Sequence, residues 1–157
     1  MVTLRIWAFK PQSLAIGHAS LEVGVEGTPN YRYMSVWPSG KFDNKGTAVT
    51  KKFDLSEEGG DSWYQQSYLR LNEWAMNNYW DRLVSANSLT YSNFMYGFNC
   101  MTNAALFLMV GQGYDPIDNA YRLLPIQDHW TLMWFSKGVK SWDENQVPLY
   151  DYIKKIK

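Results

Sequence analysis

Apolar and polar positions alternate at the front of the chain. Val2, Leu4, Ile6 and Ala8 share one face of residues 2–9, the two-residue period of a half-buried strand. Lys10-Pro11-Gln12-Ser13 punctuates as a turn. Residues 14–25 make a second strand. Ala19, Leu21, Val23 and Val25 line its core face, while His18, Ser20, Glu22 and Gly24 line the other. Glu26-Gly27-Thr28-Pro29-Asn30 reverses the chain into a third strand over residues 31–37, antiparallel to the second and ended by Pro38-Ser39-Gly40. Residues 39–62 are polar and Gly-rich. Only residues 48–53 read as extended there, and Ser56-Glu57-Glu58-Gly59-Gly60-Asp61 reads as a mobile, solvated loop.

The period then changes. A short strand over residues 64–71 is followed by Asn72, a good helix cap, and a helix over residues 73–85. Trp74, Met76, Tyr79, Trp80, Leu83 and Val84 recur on it as a buried stripe. Residues 86–99 form a loop leading to a second helix that is apolar on nearly every side through Val110, with Gly111 and Gly113 as stop signals. Residues 128–135 read as a short helix ended by Gly138, and residues 147–156 as an amphipathic tail. Strands followed by helices predict an α+β fold, an antiparallel sheet packed against the last apolar helix. With no repeat or linker, residues 1–157 read as a single domain.

That apolar helix begins with the chain's one cysteine. Asn99 is positioned as its N-cap, with Cys100 in the first turn. Free N–H groups and the positive end of the helix dipole stabilise a thiolate there, and the same N–H groups suit an oxyanion. A lone cysteine at a helix start is also simply a small buried hydrophobe. His18, at the front of the second strand, is one of two histidines. It is placed to reach over the sheet edge, where it would pair with a thiolate and protonate a leaving group. A solvent-facing strand histidine is the other reading. Trp37, just before Pro38, would form either a cleft wall or core.

Gly17-His18-Ala19-Ser20-Leu21-Glu22-Val23-Gly24, then Tyr33-Met34-Ser35-Val36-Trp37-Pro38, then Asn99-Cys100 opening a helix resembles the circularly permuted papain-like enzymes. That group includes lecithin:retinol acyltransferase and bacterial NlpC-type hydrolases. In it the histidine strand precedes the cysteine helix. The resemblance spans roughly residues 14–110. It implies a papain-like fold with Cys100 as nucleophile and His18 as base and acid. Ser35 matches the position of the third residue, which orients the imidazole; Glu22 and Asn30 are the alternatives. Trp37 and Asn99 are expected to touch substrate. His129, which follows Cys100 as in ordinary papain order, is the rival base. The acidic-aromatic continuation frequent after Asn-Cys is replaced here by Met101-Thr102-Asn103, which speaks against the lipid-acyl branch.

Composition narrows the chemistry. Lys plus Arg and Asp plus Glu each total 15, so nothing argues for nucleic acid or an anionic membrane surface. One cysteine excludes an internal disulfide and a cysteine-based zinc site. No metal-ligand spacing or phosphate loop is present, and no cofactor is expected. No apolar run reaches the roughly 20 residues of a membrane span, and no export signal is legible. The first expectation is a cysteine peptidase or amidase on a protein or peptide substrate. The resemblance further implies an interbacterial effector toxin with an immunity protein as its inhibitor, delivered by a non-classical route into a target cell or cytoplasmic. The alternatives are a peptidoglycan peptide amidase, a lipid acyltransferase or phospholipase, and a non-catalytic binding module.

Overall fold

A computed structural model describes residues 1–7, 18–40, 45–62, 64–68, 70–91, 99–111 and 113. They form a mixed α+β architecture. The strands β1 (Val2–Trp7), β2 (His18–Val23), β3 (Arg32–Met34) and β6 (Tyr64–Tyr68) build one antiparallel sheet in the order β3-β2-β1-β6. A two-stranded sheet pairs β4 (Val36–Pro38) with β5 (Gly46–Ala48). The helices are α1 (Lys51–Glu57), α2 (Glu73–Ser85) and α3 (Cys100–Gly111).

The alternation in β1 and β2 sorts the sheet into two faces. Leu4 lies opposite Leu21, and Val2 opposite Val23. With Ile6, Ala19 and Met34 they bury against Phe107 and Leu106 of α3 and Met76 and Trp80 of α2. Each of the Val, Leu, Ile, Met and Phe side chains contributes roughly 1.5–3 kcal/mol relative to exposure. The other face is polar. Arg5 lies opposite Ser20 and Trp7 opposite His18, and α1 sits over them. Arg5 donates to Glu22 and Asp61, and Lys51 Nζ reaches Glu22 at 3.2 Å.

Three elements differ from the sequence pattern. The third strand breaks at Ser35. Its first half stays on β2, while its second half leaves to pair with β5, and Val49 N–H donates to the Ser35 carbonyl at 3.2 Å. Residues 48–53, expected extended, instead enter α1: Thr50 caps it, its side chain accepting from Phe53 N–H. The 56–61 stretch is not uniformly solvated, because Glu58 is buried and Asp61 is held by Arg5. On α2 the expected stripe is narrower, since Met76 and Trp80 are buried but Trp74 is 74% exposed. The helix α2 starts at Glu73 and ends at Ser85, with Asn72 Oδ1 accepting from Ala75 N–H at 3.0 Å.

The apolar helix runs one residue into its first stop signal. Gly111 is its last residue because α2 begins against it: Asn72 N–H donates to the Gly111 carbonyl at 2.7 Å, and a Cβ there would meet Met76 Sδ at 2.7 Å. Gly113, at φ +90°, turns the chain away. No helix among the described residues is long and apolar enough to cross a membrane. The segments expected over residues 8–17, 92–98 and 114–157, including His129, lie outside the described residues.

Candidate active site

The start of α3 is built by a reciprocal cap. Asn99 Oδ1 accepts from Thr102 N–H at 3.0 Å, and Asn99 N–H donates to Thr102 Oγ1 at 3.2 Å. Asn103 Nδ2 ties the preceding chain down, donating to the Thr90 carbonyl at 3.0 Å. Cys100 therefore occupies the first helical position, where its N–H and that of Met101 have no intrahelical acceptor. The Asn99 side-chain oxygen, expected to face substrate, is committed to the helix start.

His18 is the first residue of β2 and is 4% exposed. Its Nε2 faces Ser35 Oγ at 2.8 Å and Asp54 Oδ2 at 3.2 Å. The Cys100 side chain is its other hydrogen-bonding neighbour. The imidazole lies between two indoles, with ring centroids 5.6 Å from Trp7 and 4.9 Å from Trp37. Burial alone would depress the pKa of His18. The charges and hydrogen bonds of Cys100 and Asp54 outweigh it and push it up to about 10.

Asp54 is the residue that sequence reasoning missed. It lies on α1 and is fully buried. Tyr33 Oη donates to its Oδ2 at 2.7 Å and Trp37 Nε1 to its Oδ1 at 2.7 Å. Burial pushes its carboxyl up, but hydrogen bonding and charge from His18, with Tyr33 and Ser35, hold it below the usual value. Because the Tyr33 proton is spent on the carboxylate, Ser20 must be the donor in the 2.8 Å Ser20–Tyr33 contact. The only sequence signal for α1 is Thr50 ahead of seven residues without Gly or Pro.

Ser35 does reach the imidazole, and it also lies within hydrogen-bonding reach of Asp54. Its role is a bridge; the charge comes from Asp54. The two alternatives for the third position are elsewhere. Glu22 is engaged by Arg5, Lys51 and Tyr31, and the Asn30 carbonyl accepts from Asn77 at the far end of the hairpin. Trp37 is half-buried, its ring on His18 and its N–H on Asp54, so it shields and orients the pair. Tyr91, also missed, is buried beside Cys100. Burial and the adjacent sulfur both raise its hydroxyl pKa.

Sulfur and imidazole are closed off from solvent, Cys100 being 2% exposed. On the polar side, Trp7 Nε1 donates to the Gly60 carbonyl at 3.0 Å and Arg5 holds Asp61. These contacts strap the Gly59-Gly60 turn, whose residues sit at φ +72° and +133°, next to the indole that flanks His18. Chemically the arrangement offers a sulfur, an imidazolium and a buried carboxylate in series. No family model, curated protein or solved structure matches the chain.

Proposed function

We propose that the chain is a cysteine hydrolase of papain-like design, cleaving a peptide or amide bond. The observation that carries this reading is the buried His18 imidazole, which has both the Cys100 side chain and the Asp54 carboxylate as hydrogen-bonding neighbours. A carboxylate in that place fixes the ring and stabilises the imidazolium. The thiolate of Cys100 attacks the substrate carbonyl carbon, forming a C–S bond and an oxyanion. N–H groups at the start of α3 donate to that oxyanion. Collapse breaks the C–N bond, and His18 gives its proton to the leaving amine. Water, deprotonated by His18, then attacks the acyl-enzyme and frees the acid and the thiol. Asp54 stays ionised throughout.

Because the sulfur is covered, substrate entry requires the residues over it to yield. The sequence resemblance extends the proposal to an interbacterial effector toxin acting on a protein target, restrained by an immunity protein. The test is incubation of the purified chain with casein, peptidoglycan and phospholipid vesicles, using Cys100→Ala as the blank. New amino termini from casein, absent with the blank, are expected. Release from peptidoglycan alone would move the substrate to cell-wall peptides. Equal product from the chain and the blank in all three would remove the hydrolase reading.

A further inference from the structure

At the far end of α3 from Cys100, about 17 Å along the helix, the first turns of α2 and the reversal between β2 and β3 line an open cavity of about 370 Å³. Its lining includes Trp74, Asn77 and Asn78 from α2 and Asn30 from the reversal. Gly24, at φ +86°, lets the reversal close: a Cβ there would come within 2.9 Å of the Asn30 carbonyl. Asn77 Nδ2 donates to that carbonyl at 2.7 Å, which fixes the amide plane. Its Oδ1 is then a buried acceptor with no protein partner among the described residues. Trp74 offers a mostly exposed ring on the rim.

The charged members of the lining are already neutralised. Arg32 grips Asp81 with two bonds of 2.7 and 2.9 Å and spends Nη1 on the Pro29 and Tyr31 carbonyls. Glu73 pairs with the amino terminus. The guanidinium has four of its five N–H donors engaged, which leaves one for a phosphate or carboxylate. The remaining lining is too polar for an acyl chain. A flat exposed ring beside a lining amide suits a ligand with one apolar face and a rim of hydroxyls.

We propose that this cavity is a binding site for a neutral saccharide, with one sugar face stacked on Trp74 and its hydroxyls bonded to Asn78. The site does not rest on the proposed hydrolase activity. Calorimetric titration of the whole chain with chitotriose, cellotriose and maltotriose tests it. At least one sugar is expected to bind saturably at a single site. Trp74→Ala, a change at an exposed position, is expected to weaken binding about tenfold or more, a loss of ~1.4 kcal/mol. Asn78→Ala is expected to weaken it as well, and Cys100→Ala to bind as the parent does. An unchanged melting temperature establishes that Trp74→Ala is folded. Absence of saturable binding by all three sugars, or equal binding by folded Trp74→Ala, overturns the proposal.

Discussion

Asp54 and Ser35 both touch His18 Nε2, but they differ in what they supply. A hydroxyl gives a hydrogen bond worth about 0.5–1.5 kcal/mol, and a buried carboxylate adds charge. Ser35→Ala is therefore expected to lower kcat by about tenfold at most. Asp54→Ala is expected to lower it by about 10²- to 10⁴-fold. Asp54→Asn keeps an acceptor but removes the charge, so it should move the alkaline limb of kcat/KM to lower pH. Steady-state kinetics across pH distinguishes the three, and a Ser35→Ala loss as large as that of Asp54→Ala would reverse the assignment. Cys100 and His18 stand out in the sequence on local signals, a cap before a cysteine and a histidine at the front of a strand, whereas Ser35 is picked out by the family resemblance. Asp54 was not legible, because Lys51-Lys52-Phe53-Asp54 carries the composition of a solvated segment. Its tertiary partners His18, Tyr33 and Trp37 make burial of that carboxylate tolerable.

Two short caps hold the elements that carry Asp54 and Cys100. Thr50 starts α1, and so sets where Asp54 falls; Asn99 starts α3, and so sets where Cys100 falls. Loss of either cap is expected to cost about 0.5–2 kcal/mol of stability. Urea unfolding of Asn99→Ala and Thr50→Ala checks this, with Asn99→Asp expected to retain most of it. The helices α2 and α3 were readable from period and caps. The pattern failed where tertiary pairing overrode it. The run through Tyr33 to Trp37 alternates like one strand, yet β4 leaves the sheet to pair with β5, and this brings Trp37 over His18. Trp74 fits the helical stripe by spacing but faces solvent, because the sheet and α3 already fill the buried side with Met76 and Trp80.

At the scale of the described residues as a whole, the apolar face of the main sheet carries the core and the polar face carries Asp54 and His18. Asp54, depressed in the fold, contributes stability that is present above its ordinary value of 3.8 and is lost as pH falls through its folded value. His18, raised from 6.5 to about 10, contributes stability that is full below 6.5 and is lost as pH rises through about 10. The melting temperature is thus expected to peak between 3.8 and 6.5 and to fall on both sides, with the alkaline fall reduced in Cys100→Ala. Calorimetry over that range measures it. The central claim is that sulfur, imidazole and carboxylate act as one charged series, and its most direct test is NMR titration of the histidine side chains, with His129→Gln assigning the second resonance. His18 should remain imidazolium until the pH approaches about 10, and should titrate at lower pH in Cys100→Ala and Asp54→Asn. A His18 that titrates at or below 6.5 in the parent chain, or is unmoved by Cys100→Ala, would contradict the account.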